Sequence, residues 1–166
     1  MNDGNFYQVD KNVYAGEHPA LHGNPMFLVD LKITDLIDLT EGEPNPDYLQ
    51  ALKNQEISRH GFPMADGEVP KYHRAVSEVL DRIDELLAEH RRIYIHCRQG
   101  VGRTSVISSL FLTRKYELNG FTAIELLREK WQENPLSAVF NIPETEAQEQ
   151  FIENFAPLNM KETSHE

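Results

Sequence analysis

Short apolar runs in this chain alternate with longer segments in which apolar residues recur every three or four positions. The short, β-favouring runs predict strands at 6–9, 12–15, 33–39, within 56–64 and at 92–96. Helical spacing and start signals predict six helices. A short helix starts at Asn24-Pro25, and the others are predicted at 46–53, from Pro70 to His90, from about Ser105 to about Leu118, from Thr122 to before Pro135 and from Pro143 to Phe155. This alternation predicts an α/β fold of a single domain, residues 1–166, with a mostly parallel central sheet flanked by helices on both faces.

Some boundaries carry specific signals. Thr122-Ala123-Ile124-Glu125 has the spacing of a capping box, which predicts that a helix starts at Thr122. Arg91 and Arg92 follow the helix that ends near His90, where a helix dipole favours cations. The polar residues from about 157 to 166 are predicted to form a flexible tail.

The window from His96 to Thr104 contains the only cysteine of the sequence, Cys97. It lies where the predicted strand 92–96 turns through two glycines into a helix. Such turns bind anions, because consecutive backbone N–H groups point inward and the positive end of the helix dipole lies behind them. The same field favours the thiolate form of Cys97, which would make it a nucleophile near neutral pH. The strand should lie centrally, with the ligand at its carboxyl end.

This window has the parts of a phosphoryl-transfer site. Cys97 would attack phosphorus, and the Arg103 guanidinium could donate two parallel hydrogen bonds to the phosphate and hold the transition-state charge. The phosphoryl oxygens would be held by the backbone amides of the loop residues Arg98, Gln99, Gly100, Val101, Gly102 and Arg103. Gly100 and Gly102 permit backbone angles or close approaches that a Cβ would obstruct.

The segment His96-Cys97-x5-Arg103-Thr104 resembles the signature loop of the cysteine-dependent protein tyrosine phosphatase superfamily, and in length and surroundings its small, dual-specificity-like members. The resemblance implies that Cys97 forms a phosphocysteine intermediate and that Arg103 binds the phosphoryl oxygens. It also implies that His96 orients the loop and that Thr104 assists breakdown of the intermediate. Ser105 departs from the family pattern, in which glycine is frequent at this position.

The resemblance also implies a general acid on a separate upstream loop, because the leaving oxygen needs a proton. Pro63-x-x-Asp66-Gly67-x-x-Pro70 resembles the acid loop of small phosphatases in this superfamily and assigns that role to Asp66. Glu68 is the competing acid. The alternative for Asp66 is an ordinary turn aspartate, since Asp-Gly turns are common.

Two further positions are weaker candidates. The segment around Thr145 and Gln148 resembles a family segment, Pro-x-Thr-x-x-Gln-x-x-Phe, whose glutamine helps to place water, and by position Gln148 takes that supporting role. A plain helix start explains the same residues. Asp38 lies near the carboxyl end of its predicted strand and is kept as an outside candidate, whereas Asp30 and Asp35 are interpreted as bordering residues.

Composition restricts the classes of function. The formal net charge of −11 disfavours nucleic acids and anionic membranes as partners. No apolar stretch approaches the roughly 20 residues that cross a bilayer, and no signal peptide is visible, so a cytoplasmic location is predicted. No cofactor is predicted. No metal is predicted either, because Pro19 and Gly23 oppose a helix that would bring His18 and His22 together. Trp131 is expected to pack in the core, whereas Tyr7, Tyr48 and Tyr72 could line a substrate rim.

The resulting hypothesis is a phosphomonoesterase that acts on phosphotyrosine in proteins, and on phosphoserine or phosphothreonine next. A phosphatase of a small phosphorylated metabolite, such as an inositol phosphate, is the first alternative. Gln99 and Val101 do not match the loop of phosphoinositide phosphatases of the superfamily, which carries lysines for additional phosphates, and this favours a singly phosphorylated group. A non-catalytic phosphate-binding module and a rhodanese-like sulfurtransferase are the remaining alternatives.

Overall fold

The computed structural model of this chain describes residues 5–21, 26–65 and 73–163. Within these ranges the strands are β1 (Phe6–Asp10), β2 (Val13–Gly16), β3 (Asp35–Asp38), β4 (Ser58–Gly61) and β5 (Ile93–His96). The helices are α1 (Met26–Asp30), α2 (Pro46–Asn54), α3 (His73–Ala88), α4 (Arg103–Tyr116), α5 (Gly120–Trp131) and α6 (Glu146–Thr163), with a 3₁₀ turn at Pro135–Ala138.

The strands form one sheet in the order β1-β2-β5-β3-β4, so the strand that leads to Cys97 is central. β5 is parallel to β2 and β3, β4 is parallel to β3, and only the β1–β2 pair is antiparallel. The register brings Gly16, His96 and Asp38 level with one another at the carboxyl edge of the sheet. The predicted α/β fold with a mostly parallel sheet and a central cysteine strand is confirmed.

Each face of the sheet buries its own hydrophobic core, because successive strand residues point to opposite faces. Ile93 and Ile95 pack with apolar residues of α3, α4, α5 and α6, whereas Tyr94 packs with α1 and α2 on the other face. Helix α4 is buried continuously from Arg103 to Thr113. The loop that follows β5 is therefore held between a central strand and a helix that is buried along most of its length, which fixes the position of the loop.

Several predicted boundaries are wrong. Helix α5 begins at Gly120 rather than Thr122, and the Asn119 side chain caps it by accepting from the Thr122 amide at 2.8 Å. Helix α6 begins at Glu146 rather than Pro143 and continues to Thr163 rather than ending at Phe155. The predicted starts at Asn24-Pro25 and Pro70 lie outside the described residues. The flexible tail and the extent of the domain stay predictions.

Four predicted side-chain environments also need correction. Tyr7 and Tyr48 are each 2% exposed and belong to the two cores, so they do not line a rim, whereas Tyr72 lies outside the described residues. The Arg91 backbone amide caps α3, which ends at Ala88, by donating to the carbonyl oxygen of Leu86 at 3.0 Å, but the guanidinium groups of Arg91 and Arg92 bind elsewhere. Arg91 instead pairs with the buried Asp35 at 2.7 Å, and the Arg92 guanidinium donates to the carbonyl oxygen of Leu31 at 2.9 Å. Trp131 packs in the core as predicted.

Candidate active site

Cys97 is the first residue after β5 and lies at the carboxyl edge of the sheet. Its side chain is nearly buried, with 2% of its surface exposed. The hydroxyl of Thr104, the second residue of α4, donates a hydrogen bond to the Sγ atom of Cys97 at 3.0 Å. A hydroxyl that donates at this distance stabilises a negatively charged sulfur. Thr104 therefore contacts the sulfur that the sequence predicts to be the nucleophile.

Gly100 shapes the middle of the loop. Its φ angle is +77°, and a Cβ at this position would lie 2.2 Å from the backbone of Gly16. The loop is thus pressed against the residues that follow β2, and the His18 amide donates to the carbonyl oxygen of Arg98 at 2.8 Å. Gly100 permits a left-handed backbone and a close approach at the same residue, as the sequence predicted in general terms.

The departure at Ser105 has a local explanation. Gly102 is the N-cap residue of α4 and has no side chain with which to cap it. The Ser105 hydroxyl donates to the carbonyl oxygen of Gly102 at 2.8 Å, which satisfies both groups in a buried environment. Serine at this position therefore stabilises the junction between the loop and the helix.

Arg103 begins helix α4, is 5% exposed, and connects the loop to the neighbouring strand ends. Its Nη1 atom donates to the carbonyl oxygen of Met64 at 3.1 Å and lies 3.5 Å from that of Leu39. These contacts hold the guanidinium beside the loop. The predicted acid Asp66 and its competitor Glu68 follow Met64 closely in sequence, but both lie outside the described residues.

A cavity of about 330 Å³ opens over the loop. Most of the predicted substrate-binding residues line it, whereas Gly100 faces Gly16 instead. Glu144, from the segment before α6, completes a lining that consists of Cys97, Arg98, Gln99, Val101, Gly102, Arg103 and Glu144. The cavity thus combines a cysteine sulfur at 2% exposure with two arginines, an arrangement suited to a small anion.

His96 is completely buried behind the loop and contacts the cysteine through the backbone. Its Nδ1 atom lies 3.0 Å from the carbonyl oxygen of Cys97, so Nδ1 carries the proton and donates. The Tyr48 hydroxyl lies 2.8 Å from Nε2 of His96 and 3.1 Å from Oδ2 of Asp38. Because a hydroxyl has one proton, Tyr48 donates to one of these atoms at a time. The three side chains form a connected polar cluster.

The charges in this cluster follow from its surroundings. Burial lowers the pKa of His96 to about 4 despite the nearby Asp38 carboxylate, so the ring is neutral at neutral pH. Burial opposes ionisation of Asp38, yet attraction to His96 when that ring is protonated, hydrogen bonds from Thr40 and the Arg59 guanidinium lower its pKa to about 2. Burial and Asp38 raise the pKa of Tyr48, which therefore keeps its proton.

Gln148 is fully buried beside the loop. Its side-chain Oε1 atom accepts from the backbone amides of Glu144 at 3.0 Å and Thr145 at 3.1 Å. In return, the backbone amide of Gln148 donates to the Thr145 hydroxyl at 3.2 Å. This reciprocal pair is a capping box at the start of α6. The Nε2 atom of Gln148 is buried without a hydrogen-bond partner among the described residues. It lies 3.0 Å from where a Cβ of Gly102 would be. These hydrogen bonds are those of a helix start, whereas the role of Gln148 in placing water stays a prediction.

Sequence reasoning missed three contributors to the site. No sequence signal singles out Glu144, although this residue lines the cavity. Tyr48 was placed on a rim, and Asp38 was kept only as an outside candidate, although both contact the His96 cluster. The position of Asp38 at the end of its strand was the available signal, whereas nothing local indicated Tyr48.

Other kinds of site have less support. Among the described residues, no group of three or more His, Cys, Asp or Glu side chains is arranged to hold a metal ion. In the same part of the chain, no helix combines the length and the apolar character needed to cross a bilayer.

Comparison with known proteins identifies the family. Residues 13–154 match the family model described as dual specificity phosphatase, catalytic domain. Human dual specificity protein phosphatase 9 is 26% identical over 123 residues, which make up 74% of this chain and 31% of that protein. The chain therefore spans about a third of the length of this relative.

Solved structures share the fold at low sequence identity. Tk-PTP in its active form superposes with a TM-score of 0.77 at 21% identity, covering 92% of this chain and 97% of that chain. The core catalytic domain of the PP-IP phosphatase SIW14 from S. cerevisiae, in complex with citrate, gives a TM-score of 0.75 at 19% identity, covering 99% and 93%. PTPMT1 in complex with PI(5)P gives 0.76 at 14% identity, covering 96% and 99%. These likenesses concern the fold.

Proposed function

Because this chain belongs to the dual specificity phosphatase catalytic-domain family, we propose that it hydrolyses phosphate monoesters through a phosphocysteine intermediate. The observation that carries the proposal is the position of Cys97 in the cavity lining. Its Sγ atom accepts a hydrogen bond from Thr104, and the Arg103 guanidinium lines the same cavity. The cavity thus brings together a nucleophile, Cys97, and a guanidinium that can donate two hydrogen bonds to one phosphate. Phosphoryl transfer requires both groups.

In the first step the Cys97 thiolate attacks phosphorus, and the bond between phosphorus and the leaving oxygen breaks. The leaving oxygen takes its proton from Asp66, the acid that the resemblance assigns. The loop amides and the Arg103 guanidinium hold the phosphoryl oxygens during the transfer. The bond from Arg103 to the Met64 carbonyl supports this assignment, because it holds the chain just before Asp66 against the loop.

In the second step water attacks the phosphocysteine and gives inorganic phosphate and free thiolate. Asp66, now ionised, accepts a proton from this water. Thr104 donates to the departing sulfur, as its 3.0 Å contact with Sγ permits. The buried Nε2 of Gln148 is available to hold the water beside Gly102. His96 keeps the Cys97 carbonyl in place through its Nδ1 hydrogen bond.

Phosphotyrosine in proteins is the substrate that we propose first, followed by phosphoserine and phosphothreonine. The human relative is a dual specificity protein phosphatase by name. A small phosphorylated metabolite is the second candidate, because the fold neighbours include a PP-IP phosphatase and a protein in complex with PI(5)P. The net charge of −11 supports the exclusion of nucleic acids and membranes as partners. A cytoplasmic location stays a prediction.

Turnover of p-nitrophenyl phosphate and of a phosphotyrosine peptide tests this mechanism. Cys97→Ser should reduce kcat by several orders of magnitude, because the nucleophile is lost. Asp66→Ala should lower kcat by about 10² to 10³, most strongly for leaving groups of high pKa. Glu68→Ala is the matched control for the acid and should leave kcat within about twofold of wild type, because the resemblance assigns the proton transfer to Asp66.

Wild-type rates in Cys97→Ser would refute the mechanism. A larger effect of Glu68→Ala than of Asp66→Ala would transfer the role of acid to Glu68. Phosphate binding without turnover by the wild type would instead support the binding-module alternative. Persulfide formation from thiosulfate without phosphatase activity would support the sulfurtransferase alternative.

A further inference from the structure

Glu144 places a carboxylate where the proposed mechanism has no use for one. Among the described residues that line the cavity it is the only acidic side chain, and Arg98 and Arg103 line the same cavity. Its Oε1 atom lies 2.8 Å from where a Cβ of Gly102 would be, so the carboxylate lies over the start of α4. Among the described residues, the ion pairs with Lys or Arg do not include Glu144.

The backbone that carries Glu144 is held on both sides. The Glu144 amide donates to Oε1 of the buried Gln148 at 3.0 Å. Two residues earlier, the Ile142 carbonyl accepts from the Arg128 guanidinium at 2.8 Å, and that guanidinium also pairs with Glu149 at 2.6 Å. Glu144 is an exposed residue attached to a fixed segment, so its charge stays near the cavity.

The negative charge of Glu144 affects the binding of charged groups on the substrate that lie beside the reacting phosphate. The reacting phosphate is neutralised by the loop amides and Arg103, whereas a second phosphate on a neighbouring atom would lie near the cavity mouth. Arg98 is the one further cation among the described lining residues, and Glu144 counteracts it. At separations of several ångströms near a protein surface, one unit charge changes the binding of another by roughly three- to tenfold.

We propose that Glu144 is a specificity-determining residue that disfavours substrates with a second phosphate beside the reacting one. The site thereby favours single phosphate groups in neutral or basic surroundings, such as a phosphorylated side chain next to lysine or arginine in a protein. This inference rests on the proposed function and narrows its substrate class, because it disfavours inositol polyphosphates.

The test compares kcat/KM for inositol hexakisphosphate with kcat/KM for p-nitrophenyl phosphate, at low and high salt. Glu144→Gln should raise this ratio roughly three- to tenfold, and Glu144→Lys should raise it further, because each removes repulsion from the additional phosphates. The increase should shrink in 0.5 M salt, which screens the charge. Glu146→Lys is the control, since Glu146 is exposed, lies two residues further along and does not line the cavity. It changes the net charge equally and should alter the ratio less than twofold.

A second measurement does not depend on turnover. In a Cys97→Ser background, calorimetry should show tighter binding of inositol hexakisphosphate when Glu144→Lys is added, with binding of inorganic phosphate changed much less. Equal effects of Glu144→Lys and Glu146→Lys in both measurements would overturn the inference, as would a wild type that prefers inositol hexakisphosphate. A wild type that hydrolyses neither substrate would refute the proposed function, while the binding measurement would still decide the role of Glu144.

Discussion

Gly100 and Gly42 both have backbones in the left-handed region, with φ angles of +77° and +85°. Their surroundings differ. A Cβ at Gly100 would overlap the backbone of Gly16, whereas a Cβ at Gly42 would meet nothing within 4 Å. A side chain at Gly42 would cost free energy only through backbone strain. A side chain at Gly100 would add a steric cost, because the loop lies close to the end of β2.

Gly100→Ala is expected to lower the free energy of unfolding by about 2–5 kcal/mol, because left-handed strain of about 1–2 kcal/mol adds to an overlap worth about 1–3 kcal/mol. Gly42→Ala should cost about 1 kcal/mol from strain alone. Urea denaturation of both variants measures the difference. Gly100→Ala should also lose most phosphatase activity, because the loop must move. Equal stability losses in the two variants would contradict the close approach to Gly16.

At the scale of single elements, two short segments share one capping pattern but only one of them uses it. Thr122-x-x-Glu125 matches the capping box in sequence, yet Thr122 lies inside α5 and Asn119 caps that helix. Thr145-x-x-Gln148 matches it as well and forms both hydrogen bonds. The start of α5 is fixed by packing: a Cβ at Gly120 would lie 2.6 Å from Cα of Glu153 in α6, so glycine allows the two helices to approach closely.

Asn119→Ala should therefore lower the free energy of unfolding by about 1 kcal/mol, the usual cost of losing an N-cap side chain. Thr122→Ala removes an exposed hydroxyl from within the helix and should change stability by less than about 0.5 kcal/mol. Chemical denaturation of the two variants measures both values. A larger cost for Thr122→Ala would restore the boundary that the sequence pattern predicts.

For the molecule as a whole, the site is assembled at one edge of the sheet from segments far apart in sequence. β3 ends at Asp38, β5 ends at His96, and their register places these residues side by side. Tyr48 reaches them from α2, on the face opposite α4. The site thus lies at the carboxyl ends of parallel strands, where open α/β sheets bind their ligands, and its burial affects stability as well as chemistry.

The buried His96 makes stability depend on pH. The pKa of His96 is about 4 in the folded protein, below the ordinary value of 6.5. Between pH 4 and pH 6.5, His96 therefore binds a proton in the unfolded chain but not in the folded protein. The free energy of unfolding should therefore fall as the pH drops from 6.5 towards 4, by about 1.4 kcal/mol per unit and about 2 kcal/mol by pH 5. Urea denaturation at pH 6.5 and pH 5 measures this change.

His96→Gln is the control for this pH dependence. It should be less stable than the wild type at pH 6.5 and should show a smaller change between the two pH values. His18 contributes in the same direction, because burial lowers its pKa too. Asp38, with a pKa of about 2 against the ordinary 3.8, acts only at lower pH. A wild type that is equally stable or more stable at pH 5 would contradict a neutral His96 in the folded state.

The sequence by itself determined the α/β fold, the central cysteine strand and the loop from His96 to Thr104, because alternating apolar runs and a contiguous motif are local signals. Only the tertiary structure decided that Gly16 faces Gly100, that Tyr48 and Asp38 surround His96, and that Glu144 lines the cavity. These contacts join residues tens of positions apart, and their geometry depends on strand register and helix packing, which no local pattern encodes. The same reason explains why α5 starts at a glycine that fits against α6 rather than at the better capping sequence.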